Sequence, residues 1–172
     1  MRTCAYLVLL TLLFGCAATG ESYLGQSAKL KPVDKDKARL FVFRTADSLL
    51  MSLRAARVQL NGREIGSSDR GGFAYFDVTP GKGVLSVDVV DFPGQCDLSI
   101  ELVAGQEYYF EVTPRAETHQ AGFVGGMFGG LLGNIAARSA ESAGIMCGGT
   151  FAVEARDRDT AMSKMRGLRS SN

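Results

Sequence analysis

The sequence predicts a mainly β protein: a small antiparallel β-sandwich with a glycine-rich helical insert and a short C-terminal helix. Three observations carry that expectation. Short β-prone runs recur at even spacing between residues 38 and 113. Turn pairs punctuate them, at Asn61-Gly62, Pro80-Gly81 and Ala104-Gly105. Helical apolar spacing then replaces alternation after residue 120 and again near residue 160. Even strand spacing with turn signals between belongs to sandwiches and barrels.

The chain opens on MRTCAYLVLLTLLFGCAATG. Arg2 supplies a short basic region, and the apolar run from Ala5 to Phe14 is broken only by Thr11. That run is too short to cross a bilayer but suits the core of a signal peptide. Leu13-Phe14-Gly15-Cys16 follows and resembles the lipobox of bacterial lipoproteins. The resemblance implies that residues 1–15 are a signal peptide and that Cys16 becomes the acylated first residue. Several acyl chains on one cysteine anchor firmly, at about 0.8 kcal/mol for each buried CH₂. Residue 17 is Ala and not Asp. By resemblance to enterobacterial sorting, this points to the outer membrane, facing the periplasm.

Residues 16–37 are small, polar and unperiodic, so a lipidated cysteine with a flexible tether is expected there. The β-sandwich domain is expected over 38–172. ARLFVFR, residues 38–44, is its first strand. Residues 45–56 read as a short helix or a long loop. In RVQLNGREIGS, Val58 and Leu60 alternate before Asn61-Gly62, a strong hairpin signal because both turn positions need positive φ. Phe73, Tyr75 and Asp77 share one strand face, and Ala74, Phe76 and Val78 share the other. Pro80-Gly81 turns the chain into Val84–Val90. Leu98, Ile100 and Leu102 then lead through Ala104-Gly105 to Tyr108–Val112.

The insert is expected over residues 116–149. Its glycines, Gly122, Gly125, Gly126, Gly129, Gly130 and Gly133, fall into two interleaved series four residues apart. Phe123, Met127, Leu131 and Ile135 keep the same period. The pattern is that of a helix with a bulky face and a packing face, similar to glycine-zipper segments. Each glycine costs about 1 kcal/mol against alanine, so such a helix needs a neighbouring helix or lipid. GTFAVEA then adds a last strand, and a helix over about 156–168 presents Ala161, Met165 and Leu168 on one stripe.

ARLFVFR, VQLNGREIG, GGFAYFDVTPGKGVLSV and LVAGQEYYFEV together resemble the domain of unknown function 2846. That domain occurs in bacterial lipoproteins and is similar to small β-sandwich modules of the PEGA and carboxypeptidase-regulatory kind. The resemblance spans about residues 38–113 and resumes at Thr150. It implies a sandwich and an envelope location, and brings no catalytic residues.

Charge is balanced, with 19 Lys and Arg against 18 Asp and Glu, which excludes a basic nucleic-acid footprint. Of four cysteines, Cys4 leaves with the signal peptide and Cys16 is the lipidation site. Cys96 and Cys147 remain, and a disulfide between them is favoured over two buried thiols. The single histidine, His119, lies in a polar turn, and no nucleophile elbow accompanies it. Asp88, Asp91 and Asp97 lack calcium-loop spacing and read as solvated loop carboxylates. No CxxC pair exists, so neither a metal nor a cofactor is expected. The reading is of a non-enzymatic, lipid-anchored envelope protein presenting a binding or scaffolding surface. Its partners are membrane lipid through the anchor, and a second copy or another envelope protein. The alternative is an oligomerising or membrane-active protein that acts through the glycine zipper.

Overall fold

The computed structural model describes residues 17–46, 54–115 and 145–171. In chain order these form helix α1 (Tyr23–Ser27), strands β1 (Ala38–Arg44), β2 (Ala56–Leu60), β3 (Arg63–Ser68), β4 (Gly72–Val78), β5 (Gly81–Asp88), β6 (Gln95–Leu102), β7 (Glu107–Pro114), β8 (Ile145–Cys147) and β9 (Phe151–Arg156), helix α2 (Arg158–Met165) and the short β10 (Arg169–Ser170). Two five-stranded sheets face each other, ordered β10-β4-β1-β7-β9 and β3-β2-β5-β6-β8. Between them lies a core built from Leu40, Val42, Phe110, Val112 and Val153 on one side and Val58, Leu85, Val87 and Leu98 on the other.

Local chemistry sets the strand ends. Asn61 and Gly62 take φ of 54° and 75°, the doubly left-handed turn that closes β2 onto β3. The turns at Pro80-Gly81 and Ala104-Gly105 behave differently. Each carries the chain from one sheet to the other, since β4 and β7 lie in the first sheet while β5 and β6 lie in the second. The second sheet is antiparallel throughout. The first is mixed, which the expectation of antiparallel pairing did not include. Its β7 arrives from the opposite sheet and runs parallel to β1, with Val42 opposite Phe110.

A second core covers the outer face of the first sheet. Phe41, Phe43, Phe73 and Tyr109 are buried there under Tyr23, Ala161, Met165 and Leu168. Of the stripe expected on the C-terminal helix, Ala161 and Met165 form its packing face, while the helix ends at Met165 and Leu168 packs from the segment after it. Asp157 caps that helix by accepting from Thr160 N at 2.9 Å. The backbone donor favours the charged form, and the Asp157 carboxyl is held below its usual range.

The expectation of a flexible tether over residues 16–37 is overturned across much of its length. Tyr23 is only 4 % exposed. Its ring stands edge-on to Phe73 at 5.3 Å and to Phe41 at 6.5 Å. Backbone bonds tie the segment down, from Gly20 N to Ser170 O at 3.1 Å and from Tyr23 N to Leu168 O at 3.0 Å. A Cβ at Gly20 would stand 2.6 Å from Ser170 O, so glycine permits the close approach. Ser22 caps α1 by accepting from Gly25 N at 3.3 Å. Arg39 clamps the exit of the segment, forking onto Asp77 at 2.7 and 2.8 Å and donating to Lys31 O at 2.7 Å. Residues 17–31 are therefore a strap on the sandwich. One buried aromatic outweighs the polar composition around it.

Glu111 joins helix to sheet. It is 2 % exposed and accepts from Lys164 Nζ at 2.7 and 2.8 Å and from Arg156 Nε at 2.6 Å. Burial pushes its pKa up, but the two cations outweigh burial and hold it below the usual carboxylate range. A depressed folded pKa means stability that is present above the unfolded value of about 4.3 and is lost as pH falls through the folded one. Glu111→Gln should cost about 1–2 kcal/mol at neutral pH. That is less than the ~3–5 kcal/mol of a fully buried pair, because Lys164 and Arg156 can rehydrate. Urea melts of both proteins should converge as pH drops below about 4. A gap that stays constant from pH 7 to pH 3 would remove this role.

Candidate functional site

A cleft opens where the strap and α2 part over the outer face of the first sheet. Its floor is Phe41 stacked on Tyr109, with centroids 5.1 Å apart and planes 6° from parallel. Tyr23, Ala28 and Leu30 form one wall, and Arg158 and Met162 the other. Glu107 and the exposed Lys31 also line it, the buried Arg39 lies beneath, and the hollow holds about 410 Å³. A second hollow of about 670 Å³ adjoins it and shares Pro32, Glu107, Tyr109 and Arg158. This one runs between β6, over Leu98–Glu101, and β9 at Ala155 and Arg156. Among the described residues, β8 covers β6 only across Cys96–Leu98, which leaves that side of the sandwich open.

The polar groups of the cleft are organised. Tyr109 Oη donates to Glu107 Oε2 at 2.7 Å. Burial, then this hydrogen bond and the Glu107 charge, push the Tyr109 pKa well up. Burial and Glu107 raise Tyr23 as well. Both phenols are therefore protonated donors at any physiological pH. Arg158 is a loosely held cation, with Nη2 3.9 Å from Glu107 and most of its side chain in solvent. The accessible groups at the mouth of the hollow, Lys31, Glu107 and Arg158, can pair with a ligand that carries charge of both signs.

The family model described as a protein of unknown function, DUF2846, matches residues 34–127. The chain belongs to the DUF2846 family. A comparison with curated proteins finds no match. The DUF2846 match contains the cleft floor, with Arg39, Phe41, Glu107 and Tyr109. It excludes both walls, since Tyr23, Arg158 and Met162 lie outside it. The matched stretch runs into the expected insert but does not reach Thr150, where the resemblance read from sequence resumes. In this DUF2846 protein, then, the matched stretch supplies the aromatic side of the hollow, and segments on either side of it supply the walls.

The residues singled out from sequence fare unevenly. Cys16, His119 and the glycines Gly122, Gly125, Gly126, Gly129, Gly130 and Gly133 lie outside the described residues. Cys96 and Cys147 are bonded, and they face each other across β6 and β8. Arg115, the last described residue before the insert, donates from its guanidinium to Cys147 O and from its N–H to Thr150 O at 2.9 Å. Both roots of the insert are thereby fastened beside the disulfide.

The three aspartates do not converge. Asp88 is buried and not a solvated loop carboxylate as expected, because Arg57 forks onto it at 2.8 and 2.6 Å and Gln59 donates at 3.0 Å. Asp91 pairs with Arg54 at 3.6 Å, and Asp97 accepts from Gln95 at 2.9 Å. The described residues form no cluster suited to a metal. Sequence reading missed the cleft altogether. One signal was available: Tyr23 is the sole aromatic residue between Cys16 and Lys37.

Proposed function

We propose that this protein is a non-enzymatic, lipid-anchored component of the cell envelope whose sandwich presents the aromatic cleft to a periplasmic partner or ligand. The cleft carries the reading. Beside the nearly buried Phe41–Tyr109 pair, the hollow presents Lys31, Glu107 and Arg158 as its accessible groups, a charged entrance over an aromatic interior. Its polar groups are already matched, Tyr109 with Glu107 and Arg39 with Asp77, which favours holding a ligand over transforming one. The anchor rests on the N-terminal sequence, where an apolar run of signal-peptide length ends at Leu13-Phe14-Gly15-Cys16.

Two measurements test the two halves. A palmitate analogue fed to cells should label the wild-type protein, and Cys16→Ala should abolish the label. Label retained on the variant, or none on the wild type, sinks the anchor. For the cleft, a photo-crosslinking residue placed at Arg158 should give discrete adducts in cells. The same residue at Glu64, exposed on the second sheet, should give none. Absence of adducts at Arg158, or identical adducts from both sites, counts against the cleft as the binding surface.

A further inference from the structure

The strap has a geometric consequence for where the domain sits. A free segment over residues 16–37 could hold the sandwich up to about 75 Å from its anchor. The docked segment allows nothing of the kind. Ala17 already bridges to Arg70, and Ala18 N donates to Arg70 O at 3.3 Å. Cys16 directly precedes Ala17 in the sequence.

The surroundings of Ala17 form one end of the sandwich. Arg70 donates to Ala46 O at 2.7 and 3.1 Å. Arg44, two residues before Ala46, donates to Arg54 O at 2.7 Å. Arg54 pairs at 3.6 Å with Asp91, and it keeps 57 % of its side chain in solvent. Asp91 stands between Val90 and Phe92, which are 51 % and 46 % exposed. This contact path links the anchor position, through Arg70 and Arg44, to the exposed Arg54 and an exposed apolar loop. Among the described residues, the other exposed large apolar side chains, Leu24, Val84 and Val103, lie singly elsewhere and need no special account. Val103 is at the opposite end, in the turn between β6 and β7.

We infer that the end carrying Ala17, Arg70, Arg54 and the Val90–Phe92 loop rests on the phospholipid headgroup layer. The domain is seated on the membrane and not suspended above it. Phe92 suits the boundary between headgroups and acyl chains, and Arg54 suits lipid phosphates. The cleft, bounded by Arg39 and Glu107 at the start of their strands, then opens toward the side away from the bilayer. This inference rests on acylation of Cys16, so its test keeps the two apart.

The chain contains no tryptophan, so one introduced residue reports alone. Phe92→Trp and Val103→Trp are made in the full-length protein, purified from membranes and returned to phosphatidylethanolamine–phosphatidylglycerol vesicles carrying bromine near the headgroup end of the acyl chains. Intact mass establishes acylation, and circular dichroism establishes folding. Phe92→Trp should be quenched several-fold more strongly than Val103→Trp, with a blue-shifted emission. An acylated, folded protein in which neither tryptophan is quenched, or both are quenched equally, overturns the seating while the anchor stands. A mass without acyl chains overturns the anchor itself.

Discussion

Tyr23→Ala is expected to destabilise the protein by about 3–4 kcal/mol, within the range for truncating a buried aromatic. The ring touches Phe73 and Phe41 edge-on and sits at the centre of the second core. Its removal leaves a cavity that Leu30 and Met165 are placed to fill only in part. The segment it pins keeps smaller side-chain contacts with the sandwich, Leu30 against the second core and Arg39 on Lys31 O, and its own Lys29–Glu21 pair is exposed and worth little. The loss should therefore appear in two ways. The denaturation midpoint falls, and protease gains access to residues 18–30 while the sandwich stays folded. Tyr23→Phe should retain nearly all the stability, since packing and not the hydroxyl is at stake. If Tyr23→Ala melts like wild type and resists proteolysis between residues 18 and 30, the strap is not held by its aromatic. The same variant should weaken quenching at Phe92→Trp, because a released strap again becomes a tether.

The second large effect belongs to the disulfide. Cys96 and Cys147 are 51 residues apart in sequence, and the loop they close contains all of β7 and the insert up to residue 146. In the chain-entropy view, opening a loop of that size costs about 4 kcal/mol. Cys96→Ala combined with Cys147→Ala should show that loss, and so should wild-type protein under full reduction. The damage should begin at β8, a three-residue edge strand that pairs with β6 alone. Arg115 would keep one root of the insert attached through Thr150 O. Alkylation of denatured, unreduced protein should modify neither Cys96 nor Cys147, and both after reduction. Equal urea midpoints with and without reductant would remove the disulfide from the account of stability.

The division between local and distant information runs through particular residues. Asn61-Gly62 could be read directly, because a turn that needs two positive φ values admits few residue pairs. The first strand, residues 38–44, and the Ala161, Met165 and Leu168 stripe were equally legible, since apolar periodicity reports which residues leave water. Phe41 and Phe43 held an unread hint. They are apolar on the face opposite Leu40 and Val42, so something had to cover that face. What covers it could not be read from strand periodicity, because Tyr23 lies in a segment whose composition is that of a linker.

By itself the sequence determined a mainly β chain of short strands with one terminal helix, through turn chemistry and the two periodicities, each settled within a few residues. Tertiary structure alone decided the rest. It sent β4 to one sheet and β5 to the other across Pro80-Gly81, laid β7 parallel to β1, and brought Glu111 to Lys164 over 53 residues. It folded Tyr23 onto Phe41 and Phe73 and so made a cleft from a flat sheet. Alternation along a strand says which face must be buried but not which surface buries it. That choice depends on packing among segments far apart in the chain.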